Sequence, residues 1–469
     1  MRRRLLILLL CSVLLLGGCS LAPKYQQPAA PVPETWPQDG SYNGAAAGAE
    51  APAVADLKWE DFFKDDRLKK VVHLALENNR DLRLAALNVE RARALYDIQK
   101  AELYPAVGTA GVYGKERRSA DMIGYGEPRT VEQYSVDLGV AAWEIDFFGR
   151  LRNLKDQALE EYLATEEARR SAQIILVAEV SKAYLALAAD RENLELSRST
   201  LETQQATYDL MQKSLKNGLA TEIDLRRSQT QVDGARRDVH RNLQLTAQAK
   251  NALDLLAGTP VPAELLPTDL GSVAPPKEVS PGLSSKVLLE RPDIIAAEHQ
   301  LKGANAFIGA ARAAFFPRIS LTAAVGTASD ELSGLFNSGS DTWSFVPQIS
   351  MPIFDARTWA ALRVSKADQK IILTQYEKTI QVAFREVADA LAVQGTINQQ
   401  VAAQQSLVEA AAEAYRLSTR RYTVGIDNYL SVLDAHRSLY LQQQVLITLQ
   451  LSRLANRVDI YAALGGGAV

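Results

Sequence analysis

Cysteine is almost missing from this chain of 469 residues: Cys11 and Cys19 are the only two, and both precede residue 20. No disulfide framework can staple the rest, so its stability must come from packing. A charge bias is missing too, because 52 Lys plus Arg stand against 55 Asp plus Glu, a formal net charge of −3. That balance leaves no basic footprint for nucleic acid, which is not expected as a partner. His73, His240, His299 and His436 are widely spaced, and neither HExxH nor CxxC occurs, so no metal is expected. The chain has no G-x-S-x-G elbow, phosphate loop or dinucleotide fingerprint. Gly465-Gly466-Gly467 follows a helical stretch without a preceding strand, which reads as a helix stop. No catalytic residue and no cofactor are expected, so the chain is not read as an enzyme. Hydrophobic residues make up 47%, which excludes disorder and collagen, and the length alone would suit two to four ordinary domains.

Long apolar runs are missing except for one. Arg2, Arg3 and Arg4 precede Leu5–Leu16, interrupted by Ser12 alone, and the small residues Gly17 and Gly18 follow. A basic head, a short apolar stretch and a small-residue end form an export signal, too short for a bilayer span of about 20 residues. Leu16-Gly17-Gly18-Cys19 resembles the bacterial lipobox, which implies cleavage before Cys19 and acylation of that residue. Loss of residues 1–18 removes three arginines, giving 49 − 55 = −6. Ser20, rather than Asp, suits transfer to the outer membrane in lipoproteins that resemble this one. Residues 19–67 contain a Pro-rich stretch from Pro23 to Pro52 and are expected to form a surface-following tether.

The remainder is a duplication. Asp81 through Pro105 lies on Asp293 through Pro317 at a shift of 212, and later matches such as Tyr208 with Tyr415 and Gly218 with Gly425 hold at 207. The repeats are placed at 68–258 and 288–469, with a Pro-rich extended linker at 259–287. In repeat 1, helical spacing predicts one helix from Leu68 to Leu103, ended by Pro105; Leu288 to Phe315, ended by Pro317, is its counterpart. Each repeat continues with two alternating runs. Ile319, Leu321, Ala323 and Val325 oppose Ser320, Thr322, Ala324 and Gly326, and Trp343, Phe345 and Ile349 oppose Ser344, Gln348 and Ser350. These are two-faced strands whose length and alternation match membrane-barrel strands. Gly108, Gly114, Gly139 and Gly326 on the small side fit either a narrow lumen or crowded packing. Four strands cannot close a barrel, and lipid tolerates no open edge, so further copies must complete it: a dimer would give eight strands, a trimer twelve.

Residues 150–216 contain neither Gly nor Pro, enough for a helix about 100 Å long at 1.5 Å per residue. Val180, Leu187, Leu194, Leu201, Tyr208 and Leu215 recur every seven residues, as do Val387, Gln394, Val401, Val408, Tyr415 and Tyr422; this is a coiled-coil seam. Asn217-Gly218 and Val424-Gly425 end the long helices, and return helices follow at Glu222–Leu256 and Asn428–Leu464. Leu430, Asp434, Arg437 and Leu441 share one face of the last helix. By spacing alone, Asp434 and Arg437 are a solvated ion pair worth under about 1 kcal/mol.

With these motifs, and with Glu144-Ile145-Asp146-Phe147-Phe148-Gly149-Arg150, Glu290-Arg291-Pro292-Asp293-Ile294 and Gly309 through Pro317, the mature chain resembles the outer-membrane factor family of TolC-type channels. It is most similar to the lipoprotein branch found in resistance-nodulation-division efflux pumps. The resemblance implies an α+β membrane protein: a homotrimer whose 12-stranded β-barrel in the outer membrane continues into a periplasmic 12-helix coiled-coil tunnel. It implies passive export of drugs and other toxic small molecules, with a periplasmic adaptor and an inner-membrane resistance-nodulation-division pump as partners. It places a periplasmic gate at Leu430, Asp434, Arg437 and Tyr422, and adaptor docking at Gly218, Leu219, Val424 and Gly425. Heavy-metal efflux and protein secretion through the same type of duct are the alternatives, and an envelope-scaffolding lipoprotein is the alternative of a different class.

Overall fold

A computed structural model describes residues 20–38, 40–42, 57–122, 124–125, 129–279 and 284–466. Cys19 and the export signal lie outside the described residues. The elements are α1 (Trp59–Phe62), α2 (Asp66–Asn78), α3 (Arg80–Ala101), β1 (Val107–Arg117), β2 (Thr130–Ile145), α4 (Arg150–Lys216), α5 (Glu222–Ala257), α6 (Pro292–Ala313), β3 (Arg318–Ser329), β4 (Asp341–Ser350), α7 (Ala356–Thr423) and α8 (Tyr429–Ala463). They divide into two compact units, each built from parts of both repeats. One comprises Met1–Ala29, Asn88–Thr165 and Ala296–Tyr376; the other Ala30–Leu87, Glu166–Ile295 and Glu377–Val469.

The first unit holds an antiparallel sheet in the order β1-β2-β3-β4. The repeats meet where β2 pairs with β3, and the register decides which residues share a face, since directly paired residues point the same way. Val107 pairs with Val140, Leu138 with Val325, and Val325 with Trp343. Val140 also pairs with Ala323, and Ala323 with Phe345. The opposite face carries Gly108 paired with Gly139, Asp137 with Gly326, and Ala324 with Ser344. One face is thus apolar across all four strands, and the other is small and polar. A bulge between Val140 and Trp143 keeps this order. Ala142 takes φ 51° there, and its N–H donates to Thr322 Oγ1 at 3.0 Å. A Cβ on Gly139 or Gly326 would collide with the backbone of Ala323 or Val136, whereas one on Gly108 or Gly114 would meet open space. Crowding therefore explains the first two glycines and not the others.

Below the strands Glu144 accepts two hydrogen bonds from Arg150, both 2.8 Å, and two from Arg318, one of them at 3.0 Å. That gives a role to the Glu144–Arg150 motif: a bidentate clasp between the end of β2 and the start of α4. The arm joins the same unit. Ser20 Oγ donates to Asn153 Oδ1 at 2.8 Å, Arg312 donates to the Leu21 carbonyl at 2.9 Å, and Tyr25 donates to Glu298 at 3.0 Å.

The second unit is helical, and three predictions fail in it. The single helix expected from Leu68 is broken at Asn79, whose backbone is extended (φ −63°, ψ 132°). Asn79 caps α3 by accepting from Leu82 N–H at 2.9 Å, and its amide donates to the Leu256 carbonyl at 2.9 Å. The cap and the contact with α5 together outweigh a continuous helix. The linker at 259–287 is not extended. Val261, Leu266, Leu270 and Val273 are buried, and 3₁₀ turns form at Ala263–Leu265 and Ser285–Glu290. Its carbonyls are bound by Tyr184 Oη at Leu265 (3.0 Å) and by Arg457 at Pro276 (2.9 Å). The helix expected from Leu288 starts as that second 3₁₀ turn, and Pro292 opens α6, where a missing N–H costs nothing. The heptad positions Val180, Leu187, Leu194, Val387 and Val401 are buried as predicted.

Candidate functional site

The two hairpin tips are built alike. In the first, Gly218 at φ 72° turns the chain; its N–H donates to the Leu215 carbonyl at 3.0 Å and Leu219 N–H donates to Ser214 at 2.9 Å. In the second, Gly425 at φ 77° donates to Tyr422 at 3.0 Å and Ile426 N–H donates to Arg421 at 2.9 Å. This pair of bonds around a left-handed residue is the Schellman closure, and it uses carbonyls that a helix end would otherwise leave unpaired. The return helices begin with caps: Thr221 in a capping box with Asp224, and Asn428 accepting from Ser431 N–H at 3.3 Å. Arg421 bridges the second turn to Asp427, with N–O distances of 2.6 and 3.2 Å.

Apolar side chains crown both turns. Leu219 is 80% exposed and Val424 63%, with Ile223 and Ile426 beside them. Behind them Met211, Leu225, Tyr429, Val432 and Leu433 form a buried cluster on which Tyr208, Tyr415 and Tyr422 pack.

The four residues predicted as a gate divide into two sets. Arg437 donates to Asp434 at 3.1 Å, and both side chains are about seven-tenths exposed. Leu430 is exposed one turn earlier on α8. Tyr422 instead packs against the tip cluster, with its ring 5.4 Å from Tyr429 and its hydroxyl 3.7 Å from Met211 Sδ. Burial raises the pKa of Tyr422, so its hydroxyl stays neutral. The single chain thus presents Leu430, Asp434 and Arg437 outward and keeps Tyr422 behind them as packing.

Sequence reasoning missed what lies beneath this face. His436 stands against Gln204 at 2.9 Å and edge-on to Tyr415 at 5.0 Å. Ser197 Oγ lies 3.1 Å from Tyr440 Oη and meets Asn242 of α5. Ser197, Gln204 and Asn242 are buried polar residues, and their spacing carried no signal because the heptad count follows apolar residues. Among the described residues no group of His, Cys, Asp and Glu is arranged to hold a metal ion.

The comparisons agree with this architecture. The family model described as outer membrane efflux protein matches residues 71–259 and 283–466. The toluene efflux pump outer membrane protein TtgC and the antibiotic efflux pump outer membrane protein ArpC, both from Pseudomonas putida, are each 47% identical over 466 residues. Each alignment covers 98% of this chain and 95% of the relative. Among solved structures, the open state of the Neisseria gonorrhoeae MtrE outer membrane channel matches with a TM-score of 0.85 at 38% identity, covering 96% of this chain and 99% of that one.

Proposed function

We propose, from the premise that this chain belongs to the outer membrane efflux protein family, a specific working form for it: a homotrimer with a closed barrel, a gated tunnel and an adaptor-docking tip. The protein is an outer-membrane efflux channel, and its place is the cell outer membrane. The observation that carries assembly from several copies is the sheet, and the family resemblance supports three. Its apolar face is continuous over four strands, while β1 and β4 are edges exposed along their whole length. Unpaired edges are untenable in lipid. Three copies joined edge to edge give twelve strands with the apolar face outward and the small polar face lining the lumen. Two helical hairpins per chain supply the matching twelve-helix tunnel.

Cys19 is the acylated residue in this reading. Ser20, which follows it, is held on Asn153, three residues into α4 and close to the clasp at the base of the strands. Leu219, Val424 and the turns at Gly218 and Gly425 receive a periplasmic adaptor, favoured by the exposure of large apolar side chains on well-capped turns. The adaptor joins the channel to an inner-membrane pump of the resistance-nodulation-division class. Drugs and other toxic small molecules are the proposed cargo, in line with the toluene and antibiotics named for TtgC and ArpC.

The gate is Leu430, Asp434 and Arg437, with Tyr422 supporting them. In one chain the ion pair contributes little to stability because both partners are hydrated. Around a three-fold axis three such pairs converge, and the paired guanidinium relieves the repulsion between carboxylates. Single-channel conductance in planar bilayers tests this. Asp434→Ala is expected to raise the closed-state conductance, and a conductance indistinguishable from wild type would sink the gate assignment.

A further inference from the structure

Behind the exposed Asp434–Arg437 pair lies a seam that contains a titratable group. His436 of α8 is partly buried, and the Gln204 amide nitrogen of α4 stands 2.9 Å from its Nδ1. An amide nitrogen donates, so Nδ1 accepts and the imidazole carries its proton on Nε2. Gln204 is 4% exposed, and its Oε1 is buried without a hydrogen-bond partner. A groove of about 400 Å³ opens beside this contact, lined by Gln204, Arg237, Asp238, Arg241, His436 and Arg437 among others. Every element packed here contributes a relevant group. From α5, Arg237 is paired with Asp238 at 2.7 Å, and Arg241 makes no ion pair among the described residues. From α8, Arg437 is paired with Asp434 at 3.1 Å, and Tyr440 lies on Ser197. From α7, Tyr415 stays neutral because burial raises its pKa. Both nearby carboxylates are thus already engaged by arginines.

We propose that His436 is an acid sensor for the gate: proton uptake at Nδ1 breaks the contact between α4 and α8 and releases the hairpin tips toward the open form. The proposal deepens the gate reading above and rests on it. Once protonated, Nδ1–H faces the Gln204 NH₂ group, donor against donor. Turning the amide over lets Oε1 accept from the imidazolium and leaves the NH₂ unpaired in its place, so the amide stays half-satisfied as before and the added cost of protonation is a desolvated cation at this contact. The new cation also joins three guanidinium groups around one groove. Separation of the helices hydrates the imidazolium and relieves both penalties.

The direction with pH follows from burial. Desolvation lowers the pKa of His436 below its ordinary value of about 6.5. A lowered pKa in the closed form means that its advantage is complete above about pH 6.5 and is lost as the pH falls below that value. Each pH unit in that window shifts the closed-to-open equilibrium by up to about tenfold per imidazole, compounded over the copies in the assembly.

The test is open probability of the purified full-length channel in planar bilayers from about pH 7.5 to about pH 5.5. Wild type is expected to open several-fold or more on acidification. His436→Gln, which cannot take up a proton, is expected to show no such rise. Gln204→Glu keeps the imidazole and gives an imidazolium a carboxylate partner, so it is expected to stay closed in acid. A wild-type channel indifferent to pH, or a His436→Gln channel that keeps the wild-type rise, would overturn the proposal. Asp434→Ala at about pH 7.5 separates the two readings. If it opens while wild type ignores acid, the sensor alone fails. If it changes nothing while the acid response persists and requires His436, the sensor stands and the gate residues lie elsewhere.

Discussion

Replacing Arg291 tests the hub at the end of α8. Its Nε and Nη2 donate to Asp293 at 3.0 and 2.7 Å, Nη2 also donates to Glu386 at 3.1 Å, and Nη1 donates to the Ala463 carbonyl. The side chain is only 10% exposed, while those of Asp293 and Glu386 are 31% and 41% exposed. A fully buried pair broken on one side costs about 3–5 kcal/mol. Here the carboxylates can rehydrate, which reduces their share to about 1 kcal/mol. The Ala463 carbonyl is buried at this contact and loses its donor, at about 1–3 kcal/mol. Arg291→Met, which preserves the stem packed beneath Gly465, is therefore expected to cost about 2–4 kcal/mol of local stability. At about 1.4 kcal/mol per factor of ten, this is roughly a 30- to 700-fold faster opening of the last turns of α8, read by amide hydrogen exchange on peptides ending near Gly466. Arg291→Lys, which keeps one donor and the charge, should fall between. Exchange within about threefold of wild type for Arg291→Met, or equal damage from Lys, would refute the reasoning.

Two further substitutions test the arm and the turns. Gly395 lies in α7 where a Cβ would overlap the Ser41 carbonyl. Gly395→Val should lift the stretch around Ser41 and expose it to limited proteolysis, while the helical content by circular dichroism stays unchanged. At Gly218 and Gly425 a Cβ would meet nothing within 4 Å, so Ala there costs only the left-handed backbone, about 1–2 kcal/mol each. The expected result is faster amide exchange confined to the altered tip, and equal exchange at the two tips would contradict it.

Much of this architecture could be read from residue order because its determinants are local. Pro105 and Pro317 stop helices wherever they occur, Gly218 and Gly425 permit the left-handed turn, and the seven-residue count from Val180 onward marks the seam. The break at Asn79 could not be read. Its spacing continues the helical pattern, and the deciding bond runs to the Leu256 carbonyl, 177 positions away. The linker misled for a related reason. Its prolines rule out long helices and strands, yet short 3₁₀ turns still form and Leu266 and Leu270 find a surface to bury against, a surface supplied by residues distant in the chain.

The candidate site divides the same way. Asp434 and Arg437 were placed on one helix face by periodicity, since three residues apart is contact distance on any helix. Tyr422 was grouped with them and lies instead in the cluster behind, where Met211 and Tyr429 meet it. Gly309 and Gly395 gave no warning of their use. They sit in helices that tolerate a glycine, and only Asn153 and the arm at Ala22 beside the one, and the arm at Ser41 beside the other, show why a side chain is excluded.

Scarcity of cysteine, balanced charge, duplication and two alternating periods determined from the sequence alone that this is an exported, packing-stabilised helical and stranded protein. Each of those signals is carried by composition or by residue order, so no spatial contact is needed to read it. The tertiary structure alone decided that β2 pairs with β3, and with that pairing that all four apolar faces coincide. It also decided that Gln204 meets His436. Both are contacts between residues far apart in the chain, and their register is set by the packing of whole elements, which no local pattern encodes.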